Sequence, residues 1–128
     1  MSYYFTKELN ISLEAAITKV SEELKKEGFG ILTDIDMKAT LKEKLNVEFR
    51  PYRILGACHP TFGFQALQTE DKIGTMLPCN IVVQEKTSGK VEVTAIDPVA
   101  SMAAVNNSNL KTIMEQPRVK LKRVIDNL

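Results

Sequence analysis

The sequence has little of what would name a function quickly. It carries two cysteines, Cys58 and Cys79, and a single histidine, His59, in 128 residues. Two cysteines in 128 residues make no disulfide framework, and with no Cys-x-x-Cys pair the thioredoxin-like signature is absent. Neither sign of charge dominates, with 17 basic against 16 acidic residues. That removes the dense basic footprint that nucleic-acid binding needs. No apolar run approaches the roughly 18 residues of a membrane helix. The start, Met-Ser-Tyr-Tyr-Phe-Thr-Lys, has no basic cluster leading into a long apolar stretch, so it does not read as a secretory signal. Gly28 and Gly30 lack the third glycine of a dinucleotide fingerprint, and no phosphate-cradling Walker pattern occurs. There is no linker, low-complexity tract or internal repeat. The expectation is a soluble, cytoplasmic protein with reduced thiols and without a membrane or nucleic-acid partner.

What is present is an ordinary globular composition, 44% apolar and 26% charged. The length suits one domain over residues 1–128, large enough for a hydrophobic core without staples. Residues 3–9 suit a first strand at an edge. Ser12 can cap a helix whose stripe is Leu13, Ile17, Val20 and Leu24, with Gly28 ending it. A strand over 29–35 follows, and then a helix over 37–45, capped by Asp36, with Met37, Leu41 and Leu45 as its stripe. Residues 52–58 read as a strand, 61–69 as a helix with Phe62, Ala66 and Leu67 on one face, and 70–78 as a loop. Cys79 to Glu85 and Val91 to Ile96 form a hairpin about Thr87-Ser88-Gly89. Asp97-Pro98 starts a short helix. Asn106 to Asn109 form a loop. Leu110, Ile113, Met114, Leu121, Val124, Ile125 and Leu128 make the last helical stripe. Pro117 either kinks one long helix there or sits in the first turn of a second. The order β-α-β-α-β-α-β-β-α-α predicts an α+β fold. A single mixed or antiparallel sheet of about five strands would be covered by helices, its hairpin followed by helices.

The chemistry-bearing residues gather at predicted element boundaries. Cys58 closes one predicted strand and Cys79 opens another, so the thiols meet at one sheet end if those strands are neighbours. Arg53, Thr61, Asn80 and Asp97 add polar groups near strand ends, where α/β proteins commonly form pockets. Arg53, Cys58, His59, Thr61, Cys79, Asn80 and Asp97 are therefore the ligand-binding candidates; no catalytic residue is assigned. Each also has a plain structural reading. Free cysteines are mostly buried hydrophobes, His59 can be a helix-start residue, and Thr61 and Asp97 can be caps. Asn80 can satisfy a turn, and Arg53 can be a solvated strand residue. Two thiols and an imidazole suit Cu(I) or zinc, but they do not close a tetrahedral site, so no metal is assigned and the cofactor stays unknown. Asp34 and Asp36 read as a cap and its exposed neighbour. The basic run Arg118-Val119-Lys120-Leu121-Lys122-Arg123 reads as a solvated helix face favourable to the dipole. Tyr3, Tyr4 and Phe5 read as core or dimer packing.

Several blocks in order carry a resemblance. They are Gly28-Phe29-Gly30-Ile31-Leu32-Thr33 with Asp36 to Lys44, Pro51-Tyr52-Arg53-Ile54-Leu55-Gly56-Ala57-Cys58-His59-Pro60, Leu77-Pro78-Cys79-Asn80-Ile81-Val82-Val83 and Ala95-Ile96-Asp97-Pro98. By these the chain resembles the DUF302 family, whose fold is called TT1751-like, over nearly its whole length. The resemblance implies a small α+β domain that forms a homodimer, and no established reaction. Function is thus expected to be unknown at family level. The leading specific reading is a module that binds or senses a small molecule in a pocket at strand ends. The alternatives are a thiol-based redox or sulfur-transfer protein using Cys58 or Cys79, and a structural or protein-interaction module.

Overall fold

Four of the five helices begin on a side chain that supplies the acceptor their first turn lacks. The computed structural model describes residues 2–128. After strand β1 (Tyr4–Leu9), Ser12 accepts from Ala15 N at 3.1 Å and opens α1 (Leu13–Lys26). Gly28, at φ +88°, ends that helix in a conformation that a side chain disfavours. Strand β2 (Gly30–Asp36) leads directly into α2 (Met37–Leu45), where Asp36 caps Ala39 N at 2.9 Å. Asp97 caps α4 (Pro98–Ser101) after the hairpin of β4 (Cys79–Thr87) and β5 (Lys90–Ile96). Asn107 caps α5 (Ser108–Asp126), which places Asn109 inside that helix rather than in a loop. The exception is α3 (Pro60–Thr69), which follows β3 (Tyr52–Cys58): its cap residue, His59, makes no side-chain capping bond.

The five strands form one sheet in the order β1-β5-β4-β3-β2, antiparallel throughout. Of the two sheet types expected, the antiparallel one is present. Alternation sends Leu55, Ile81, Val83, Val91, Val93 and Ala95 to one face. There they meet Val20 and Leu24 of α1 and Leu121, Val124 and Ile125 of α5, all buried. Each fully buried side chain of this size contributes roughly 1.5–3 kcal/mol. A second, smaller core holds Ala66, Ile73, Met102, Leu110 and Met114 between α3, α4 and the start of α5. The other sheet face carries a polar ladder. Arg50 Nε donates to Gln84 Oε1 at 2.9 Å, Gln84 Nε2 to Glu92 Oε1 at 3.3 Å, and the Thr6 and Thr94 hydroxyls lie 2.9 Å apart. Gln84 is thus buried without losing its hydrogen bonds.

Several sequence expectations change. The stripe of α2 does not bury: Leu45 is 66% exposed, and no residue of that helix is buried. The helix packs on β3 near an open sheet edge, and β2 itself is exposed along its length. Leu67 is likewise exposed on α3 while Phe62 and Ala66 face inward. The 70–78 segment contains a 3-10 turn over Ile73–Met76 and a cis Leu77–Pro78 bond. Pro117 lies buried within one continuous α5, so there is no second helix start. The two ends of the chain are joined at β1: it pairs with β5 alone, and Lys7 Nζ donates to the carbonyls of Asp126 at 3.2 Å and Leu128 at 2.7 Å.

Candidate functional site

The β3–β4 register sets Ala57 opposite Cys79, so the two thiols come from adjacent strands one position out of step. Phe29, Cys58, His59, Phe62, Cys79 and Met114 line a common cavity of about 20 Å³. That is room for about one water, against the 300–1,000 Å³ of ordinary ligand pockets. The surroundings are aromatic and aliphatic. The His59 ring stands edge-on to Phe29 at 5.4 Å between centroids and tilts over Phe62 at 4.3 Å. Its Nδ1 is buried without a hydrogen-bond partner. Burial, with a smaller push from Lys120, lowers the His59 pKa from 6.5, which favours the neutral ring. Burial, and then the neighbouring Cys58 charge, push the Cys79 thiol up to about 11. Such a thiol is a poor nucleophile at neutral pH. Among the described residues, no group of three or more His, Cys, Asp or Glu side chains is arranged to hold a metal ion.

The other candidates lie apart from this cavity. Arg53 is on the helix-covered side near the β2 edge, where its Nε donates to Asp34 at 2.8 Å and its Nη1 lies 3.4 Å from Glu14 of α1. The Arg53 guanidinium lowers the Asp34 pKa by hydrogen bonding more than by charge alone. Thr61 is exposed in the first turn of α3 and does not cap it. Asn80 is exposed on the polar sheet face, paired in register with Gly56. The strand-end candidates therefore do not form one site.

Asp97 belongs to a larger concavity. A groove of about 810 Å³ runs between the start of β1, the β5–α4 junction and the first half of α5. The Asp97 amide donates to Tyr3 O at 2.8 Å, which ties the junction to the edge strand. Its carboxylate is 9% exposed. Oδ1 accepts from Val99 N at 3.0 Å and Ala100 N at 3.4 Å, and Oδ2 from Arg118 Nε at 3.0 Å. The Arg118 guanidinium lies 5.5 Å from the Phe5 ring centroid, a cation–π contact. Val99, Met102 and Val105 add apolar lining; Lys111 and Glu115 add charge.

Arg118 is the residue that sequence reasoning misplaced, as one of four bases on a solvated face. Lys122 and Arg123 do behave that way, exposed and reaching Asp126 at 2.9 Å and Glu27 at 2.7 Å, whereas Lys120, 3.7 Å from Glu27, is partly buried. The available signal was the spacing of Lys111, Glu115 and Arg118, which places them on one helical face. Nothing in the sequence tied that face to Asp97.

The family described as "Domain of unknown function DUF302" matches residues 5–128. The crystal structure of an uncharacterized conserved protein DUF302 from Bacillus stearothermophilus superposes with a TM-score of 0.90 at 27% identity, covering 98% of each chain. No curated protein matches.

Proposed function

The chain belongs to the DUF302 family, and from that premise, which supplies no reaction, we propose that it is a small-ligand-binding module whose pocket is the groove beside Asp97. The observation that carries this reading is one of size and lining. The groove measures about 810 Å³ and mixes apolar walls with a few fixed polar groups, as ligand sites do. The cavity at Cys58, His59 and Cys79, at about 20 Å³, is too small for anything beyond a water-sized guest. Cys58, His59 and Cys79 then serve packing, and the thiol-redox or sulfur-transfer reading has Cys79, with its thiol pushed up to about 11, against it. The test is an amide-resolved NMR screen of a fragment library. Shifts clustered on residues 97–118 and the start of β1 support the reading, and hits confined to the Cys58 region, or none at all, reject it. Two free thiols fit a reducing compartment such as the cytoplasm.

Self-association is a second reading. Ile31, Leu32 and Ile35 on β2, an edge strand with β3 on one side only, and Leu45 and Val47 beyond it, are all exposed. An exposed apolar edge is a natural place for a second strand to pair. Sedimentation velocity distinguishes the cases: a homodimer at micromolar concentration that Leu32→Asp dissociates supports it, and a monomer up to millimolar concentration rejects it.

A further inference from the structure

We infer that the groove takes a small monoanion, a carboxylate on an apolar body, with Arg118 as its anchor and Lys111 as the second cation. The inference rests on reading the groove as a ligand pocket and adds the chemistry of what fills it. Arg118 contributes only its Nε to Asp97. Its two terminal nitrogens have no acceptor among the described residues, and Arg118 is one of the residues that line the groove. An arginine has five N–H donors in a rigid fork, so four remain. The Asp97 bond at one end and the Phe5 ring at 5.5 Å hold the fork in place. A donor pair fixed in advance loses little freedom on binding, and its planar spacing matches a carboxylate.

Lys111 lies seven residues before Arg118 on the same helix, about 10 Å along its axis. Its ammonium has no ion-pair partner among the described residues. Glu115, between the two cations, also lines the groove without an ion-pair partner. The charges of Asp97, Lys111, Glu115 and Arg118 sum to zero. The groove therefore has local donors for one anionic group but no net field to attract several. A polyphosphate would meet Glu115 and Asp97, whereas a single carboxylate meets the fork. Asn107 is held by other bonds: its Oδ1 caps α5, and one of its two Nδ2 hydrogens goes to Thr69 O at 3.1 Å. Phe5, Val99, Met102 and Val105 supply the surface for the apolar body.

The experiment titrates the ¹⁵N-labelled full chain with two isosteric pairs, indole-3-acetate against indole-3-acetamide and hexanoate against hexanamide, and with tripolyphosphate. The expected result is that a carboxylate shifts the Arg118 Nε–Hε signal and the Phe5 and Lys111 amides. It should bind at least about fivefold more tightly than its amide. Lys111→Gln, at an exposed position without a partner, should weaken the carboxylate several-fold and leave the amide unchanged. Arg118→Lys, which keeps the charge beside Asp97, should remove most of the preference. Equal binding of acid and amide, or indifference to both substitutions, overturns the anion assignment while leaving the pocket in place. Tripolyphosphate binding more tightly than either carboxylate overturns the monoanion assignment. If no probe shifts groove signals at millimolar concentration, the pocket reading falls with it.

Discussion

The His59 ring occupies the space that a side chain on Gly28 would need: a Cβ there would stand 2.6 Å from His59 Nε2. Gly28 also holds φ +88°. Gly28→Ala therefore combines a left-handed backbone with a collision, and a loss of roughly 1–3 kcal/mol is expected in urea denaturation. In a His59→Ala background the collision disappears and the backbone cost stays, so the same substitution should cost less there. Gly30, two residues on, has nothing within 4 Å of its added Cβ. Gly30→Ala is expected to lie within roughly 0.5 kcal/mol of the parent. Equal losses at positions 28 and 30 would contradict the contact.

The same ring makes a pH prediction. Its folded pKa is lowered below 6.5 by burial first and Lys120 second. The unfolded chain therefore takes up the proton at a higher pH than the native one, and stability falls as pH drops through that interval. Above 6.5 the contribution is fully present; below the folded pKa it is gone. Denaturation midpoints between pH 7.5 and 5 should fall in the parent and fall less in His59→Gln. A parent curve that is flat over this window, or parallel to the variant's, counts against the burial of Nδ1.

The two thiols should react unequally. Cys79 is buried, with its thiol pushed up to about 11, whereas Cys58 is half-buried at a strand end. With an aromatic disulfide reagent at pH 8, Cys58→Ala is expected to show almost no reaction until denaturant is added, because the thiolate is the nucleophile. Cys79→Ala should keep whatever native reactivity the parent has. Rapid native labelling of Cys79 would refute the burial of its sulfur.

Arg53 tests the division between structure and binding. It joins Asp34 of β2 to Glu14 of α1 at a partly exposed edge. Arg53→Gln should cost only about 0.2–1 kcal/mol near neutral pH, as exposed pairs do. The Asp34 pKa is lowered by its hydrogen bond to Arg53. The contribution is therefore present above the ordinary carboxylate value and lost as pH falls through the folded one. Probe binding in the Asp97 groove should be unchanged, and a large loss of binding would return Arg53 to the site.

The local signals in the sequence were sound where one segment settles its own structure. Ser12, Asp36 and Asp97 cap the helices their spacing announced, and the β4–β5 hairpin needs only alternation and a turn. What escaped was long-range. The stripe of α2 is helical in period, but whether it buries depends on what lies opposite, and nothing closes over it. Pro117 could be placed only once the neighbours of α5 were known. Candidates at successive strand ends diverge because alternation points Asn80 and Cys79 to opposite faces. Asp97 was found for its capping role; its ion pair with Arg118, 21 residues away, follows from tertiary packing.

The pairing of β1 with β5 has a consequence for the order of assembly. From β3 to β5 each strand lies beside its predecessor in the sequence, so those contacts close shorter loops. β1 must wait for residues 91–96, its partners in register. Closing that long loop costs entropy before any contact repays it. β1 is thus expected to be the strand added last, with Lys7 latched onto the carbonyls of Asp126 and Leu128. In pulse-labelled refolding, the amides of β1 should gain protection after those of the β4–β5 hairpin. The groove beside Asp97, which borrows Ser2, Tyr4 and Phe5 from that segment, should be completed in the same final step.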